Sequence, residues 1–200
     1  MKTATAIATA LTLLSLSTVP ALAATATKYQ IKGQNAYASF YQSDDCSYTY
    51  VSVYGFDSAT KSGSGAPISQ TGGYLDYSSY NYCTGAQFYG SGFSENIPFT
   101  SNKLNSATLN GTFTVYDYYS ETSKTATVNL TWTGTGDTYR GKSNSRYQGP
   151  GYSSIYRSSG SSRDAQVSGT VTLDGTNLIA NMTSSGSLST SSNGSLEIIK

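Results

Sequence analysis

The 200-residue sequence has no histidine, one tryptophan, two cysteines and only 12% charged residues. Each shortage closes a class of function. Without histidine there is no Ser-His-Asp or Cys-His nucleophile, and the commonest zinc and iron sites lose their usual ligand. Cys46 and Cys83 do not form a C-x-x-C pair, so a redox or thiolate-metal motif is absent too. With Lys2 set aside as part of a leader, eleven basic residues face eleven acidic ones. A chain that neutral is not built for electrostatic capture of nucleic acid or of a membrane surface. Outside the first 23 residues, no stretch of ten or more shows helical periodicity. No cofactor and no metal is expected. Asp44-Asp45, Asp57 and Asp174 could offer oxygens to calcium, but without a D-x-D-x-D-G run they read as turn aspartates.

Residues Met1–Ala23 have the pattern of a secretory signal peptide: Lys2, an apolar run from Ala6 to Leu16, and Val19-Pro20-Ala21-Leu22-Ala23 with small residues at the cleavage site. The run is shorter than the ~18 apolar residues of a membrane span. The expectation is a secreted protein, extracellular or periplasmic, without membrane insertion. Its mature chain, 24–200, is one domain long. In an oxidising compartment Cys46 and Cys83 pair by default. The bridge closes a loop of about 38 residues, for which loop entropy gives roughly 4 kcal/mol.

Three stretches alternate strictly between apolar and polar residues: Ala107–Val115, Ala126–Trp132 and Ala165–Leu173. Such a period of two marks antiparallel strands with one face in a core and one in water. The expected core holds Phe113, Val115, Val128, Leu130 and Trp132, with Val167, Val171 and Leu173 from the third strand. Gly111–Val115 echoes Gly169–Leu173, as two equivalent core strands would, one in each sheet. Asp174-Gly175 signals a type I′ hairpin, which would pair Val171 with Leu178, Gly169 with Ala180 and Val167 with Met182. Asn193-Gly194 suggests a second turn. Ala36–Tyr41, Cys46–Gly55, Tyr74–Tyr80 and Ala86–Phe93 read as further, tyrosine-rich strands. In Cys46–Gly55 the valines take one face, and Tyr48, Tyr50 and Tyr54 the other. Ser58–Pro67 and Tyr139–Arg163 read as loops by composition, the second long enough to be functional or partly disordered. The expected fold is an all-β antiparallel sandwich, jelly-roll or Ig-like, with one disulfide.

Eighteen tyrosines are the conspicuous resource. Tyr147, Tyr152 and Tyr156 with Arg146 and Arg157 make a candidate binding set, because rings with guanidinium groups suit an anionic polysaccharide, a charged cell-surface component or single-stranded nucleic acid, through charge and stacking. The competing reading is a solvated loop with its arginines paired to Asp137 and Asp164. Tyr74, Tyr77, Tyr80, Tyr82 and Tyr89 form a second cluster around Cys83, suited to stacking on sugars or to covering strand edges. Two function classes follow: a non-catalytic secreted protein binding glycan or matrix polymer, and a small carbohydrate-active hydrolase with Glu95 or Glu121 in a carboxylate pair. The segments Leu104–Asn110, Leu130–Gly136 and Ser168–Val171 resemble a group of secreted bacterial β-rich proteins that carries no established activity. The resemblance implies a single secreted domain.

Overall fold

The computed structural model describes residues 25–199, so the expected leader lies outside the described residues. Ten strands follow in chain order: β1 Thr25–Ser43, β2 Ser47–Ser62, β3 Ile68–Asn81, β4 Gln87–Glu95, β5 Phe99–Asn102, β6 Ser106–Asp117, β7 Thr122–Gly149, β8 Tyr152–Leu173, β9 Thr176–Asn177 and β10 Thr183–Ile199. All pairings are antiparallel. Strand neighbours in sequence are mostly neighbours in the sheet, and β10 returns to lie between β8 and β1. The connectivity is therefore a meander without a Greek-key crossing.

At one end the strands form two leaves around a core. The first comprises β1–β4 with the start of β10, the second β6–β8 with β5 and β9 attached. They separate where β10 leaves β8, after the pair Gly186↔Ala165. At the opposite edge the pairs Gly90↔Asp117 and Ser91↔Tyr116 join them again. Val51, Val53 and Leu75 from the first leaf face a core shared with Leu109, Phe113, Val115, Val128, Leu130 and Trp132 from the second. The expected core residues are buried, except that Val167 is half-buried against the cluster. Gly186 sits where the leaves part. A Cβ there would run into the Val167 side chain and come within 2.8 Å of the Ala165 carbonyl, so close approach requires glycine. Cys46 and Cys83 are bridged, with Cα atoms 5.3 Å apart. The bond ties the β1–β2 turn to the β3–β4 turn at one end of the first leaf.

The other end corrects the sequence reading. Tyr139–Arg163 is not a loop: Thr138–Gly149 and Tyr152–Arg163 are the outer halves of β7 and β8, turned at Pro150-Gly151. A bulge between Gly134 and Thr138 marks where β7 leaves the core. Beyond it, β7–β8–β10–β1–β2 continue as a blade, edged by the start of β3 at Ile68–Thr71. No residue from 138 to 163 is buried, because both faces of the blade meet solvent. With no core side to pattern, Ser, Gly, Tyr and Arg occupy the strands and composition imitates a loop. Ser58–Ser62 belongs to β2 for the same reason.

Other expectations are also revised. Asp174 and Gly175 both take positive φ, 47° and 84°, as a type I′ turn requires. Yet β9 ends at Asn177, and the pairs of Gly169 with Ala180 and Val167 with Met182 do not form. Leu178, Ile179 and Met182 instead pack against the core. Asn193-Gly194 is not a turn but lies mid-strand, opposite Ile31 and Gln30. The two echoing segments do not lie one per leaf. They flank β7, with Val128 between Gly111 and Val171.

Candidate binding surfaces

Strand parity in the first leaf puts valine inside and tyrosine outside. Val51 and Val53 point into the core, so Tyr48, Tyr50, Tyr54 and Phe56 point away from it. Register then aligns these rings across strands. Tyr37, Tyr54, Tyr74 and Phe93 form one row over β1–β4. Tyr41, Tyr50 and Tyr89 stand in another, with Ser78 between the last two. Between them runs a row of short polar residues, Ser39, Ser52, Asp76 and Ser91, ending at Tyr116. The aromatic rows lie four residues apart along the strand, about 13 Å. The result is a shallow polar channel walled by rings and bridged at its β1–β2 end, where the Tyr37 and Tyr50 hydroxyls meet over Ser39 and Ser52.

Contacts hold this surface flat. Phe56 and Phe93 are nearly parallel at 6.4 Å between centroids, and Tyr89 stacks on Tyr118 at 5.3 Å. The Tyr37 and Tyr50 hydroxyls share a 2.8 Å hydrogen bond across the channel. That bond, with burial, holds the Tyr50 phenol above its ordinary range. Ser52 Oγ donates to Asp76 at 3.4 Å, and burial pushes the Asp76 carboxyl up from its ordinary value. Tyr74, Tyr89, Phe93 and Tyr116 remain exposed. Rings to stack on a sugar face, beside a carboxylate and hydroxyls to bond its hydroxyl groups, are what a glycan surface needs. The alternation in Cys46–Gly55 marks the Tyr48, Tyr50 and Tyr54 face in the sequence itself. Asp76 went unremarked.

Tyr147, Tyr152 and Tyr156 are on the blade, and there register separates them from the arginines. Tyr147 pairs with Ser154, Gly149 with Tyr152, and Ser145 with Tyr156, so the three tyrosines share one face. Tyr147 and Tyr152 have ring centroids 6.1 Å apart. Arg146 opposes Ile155 and Arg157 opposes Asn144, which places both arginines on the other face. The expected five-residue set is thus two surfaces, back to back. Of the second tyrosine cluster, Tyr77 packs inward on Phe88 at 4.6 Å, while Tyr80 and Tyr82 make an exposed edge-to-face pair at 5.0 Å.

The carboxylates considered for catalysis are at strand ends. Glu95 closes β4, exposed, where it accepts a bond from Gln70 Nε2 at 3.4 Å. Glu121 is exposed in the β6–β7 turn with φ 53°. Asp117 is buried. Burial works to raise its pKa, but hydrogen bonds from the Ser120 hydroxyl and the Tyr119 and Ser120 backbone outweigh it and leave the group below its ordinary value. Its oxygens are committed to the turn, 2.6 Å from Ser120 Oγ and 3.0 Å from Tyr119 N. Among the described residues no group of three His, Cys, Asp or Glu is arranged to hold a metal ion.

No protein-family model and no curated protein matches the chain. Among solved structures it is similar to a protein provisionally named AttH from Nitrosomonas europaea, with 12% identity and a TM-score of 0.29. The match covers 84% of this chain but 51% of that one, so the chain spans about half the length of that neighbour.

Proposed function

We propose that this is a secreted, non-catalytic protein that binds a glycan or matrix polymer with the outer face of its first leaf. The observation that carries the reading is the pair of aromatic rows, Tyr37–Tyr54–Tyr74–Phe93 and Tyr41–Tyr50–Tyr89, set on either side of Asp76. Exposed contiguous aromatic surface on a small domain marks an interaction site, since a monomer has no folding reason to display it. A polymer fits better than a small ligand because the rows extend over four strands rather than enclosing a cavity. The disulfide supports an oxidising compartment. No helix among the described residues is long and apolar enough to cross a membrane.

The hydrolase alternative needs two carboxylates facing one another over a bound sugar. Glu95 ends β4 and Glu121 lies in the β6–β7 turn, both in solvent, and Asp76 stands among serines and tyrosines in its row. A glycan array with the purified protein tests the reading, run beside an assay for new reducing ends on every glycan bound. Retention of a glycan without release of reducing ends is expected. Release of reducing ends would favour the hydrolase, and an array without hits would leave the surface a structural one.

A further inference from the structure

The blade carries a charge asymmetry that the neutral total conceals. Residues on its inner side, the side continuous with the core, are those in register with Lys28, Gln30 and Lys32 of β1. On that side β1 supplies Lys28 and Lys32, β2 supplies Lys61, and β7 supplies Arg140, Lys142 and Arg146. Arg157 rises from β8 in the middle. All seven are exposed. Arg163 shares the side but is engaged at the bulge, where its Nε donates to the Gly136 carbonyl at 3.1 Å. Asp57 is the one carboxylate among the described inner positions of the blade, and no cation occupies a described outer position, where the tyrosines stand.

The cations are arranged as rims. In the row Lys32–Ser192–Ser159–Lys142, a lysine at each side encloses two serines. The next row inward, Gln34–Thr190–Ser161–Arg140, again has a small floor. Rim to rim is three strand spacings, about 14 Å, and Lys28 to Lys32 adds about 13 Å along the strand. Two grooves follow this trough, of about 760 Å³ and 410 Å³, and they share Lys142, Ser159 and Ser192.

We propose that the inner trough of the blade binds a linear acidic polysaccharide, one bearing carboxylate or sulfate groups along its length. The proposal rests on the polymer-binding reading above and adds a second surface with a charge requirement. Cationic rims over a floor of serines and a threonine, with Leu196 and Ile155 at its outer end, match a sugar chain that presents anions, hydroxyl groups and apolar ring faces. Nucleic acid fits less well. Single strands are held by base stacking on aromatic rings, and no ring occupies a described inner position of the blade.

The test is affinity chromatography of the protein on immobilised polyuronate, on heparin, on neutral dextran and on single-stranded DNA, with a salt gradient. Retention on polyuronate or heparin is expected, with elution by salt because the contacts are ionic. The two acidic columns distinguish carboxylate from sulfate. Lys32→Ala/Lys142→Ala/Arg157→Ala should weaken retention by about tenfold or more while leaving Tm unchanged, since all three side chains are exposed. Absence of retention on both acidic glycans, retention indifferent to the triple variant, or equal retention on DNA each overturns the proposal. Neutral glycans bound through the tyrosine rows, with acidic ones ignored, would refute the trough alone. Failure on every glycan, neutral and acidic, would refute the functional reading with it.

Discussion

The indole nitrogen of Trp132 on β7 donates to the backbone carbonyl of Tyr37 on β1 at 2.9 Å. The one tryptophan of the chain thus pins one leaf to the other, at the residue that begins the first aromatic row. Its ring is fully buried. Trp132→Ala should cost about 3–5 kcal/mol, from lost contacts and the cavity left behind. Trp132→Phe keeps most of the volume but removes the bond to the Tyr37 carbonyl, at about 0.5–1.5 kcal/mol. Urea unfolding measures both, and an unchanged midpoint in the alanine variant would contradict the packing described here.

The disulfide joins two turns at one end of the first leaf, and reduction should loosen that end. Chain entropy sets the loss from Cys46→Ser/Cys83→Ser at roughly 4 kcal/mol for a loop of this length. Thiol titration of the denatured, unreduced protein should find none free. Two reactive thiols per chain would refute the bridge.

Asp76 gives a pH signature. Burial raises its pKa in the folded protein above the ordinary carboxylate value, so ionisation opposes folding. Its contribution is fully present below the unfolded pKa and lost as pH rises through the folded value. Asp76→Asn, which cannot ionise, should therefore gain Tm over the parent at neutral pH and lose that advantage near pH ~3. Thermal melts across that range check the sign. An advantage that grows toward acid would show that the carboxylate is stabilised where it stands.

Gly186 predicts a steric cost at the point where β10 leaves β8. Gly186→Ala forces a methyl against Val167 and the Ala165 carbonyl, and overpacking of that kind costs about 1–3 kcal/mol. Gly141→Ala, on the open blade with nothing within 4 Å of the added carbon, serves as the control and should change Tm little.

Legibility in the sequence followed burial. In β6, the first half of β7 and β8's final residues, one face packs on the core, and period-two alternation revealed strand, face and core residue alike. In the blade neither face is buried, so the pattern vanished and strands with complete backbone pairing looked like loop. Asp174-Gly175 was readable because positive φ at two consecutive residues is local chemistry. Asn193-Gly194 carried the same letters in an extended strand, where pairing with β1 and β8 overrode the turn preference. The binding surfaces were half visible. Tyr48, Tyr50 and Tyr54 showed a face by spacing, but only register brought Tyr74 and Phe93 into line with Tyr54 and put Arg146 behind Tyr147.

The tyrosine rows of the first leaf are proposed to hold a polymer. The most direct measurement is the partition of the protein onto the glycan it retains, compared between the parent and Tyr54→Ala/Tyr74→Ala at matched Tm. Stacking is worth on the order of 1 kcal/mol per ring, so the double variant should bind about tenfold or more weakly. Equal partition of parent and variant would contradict the account.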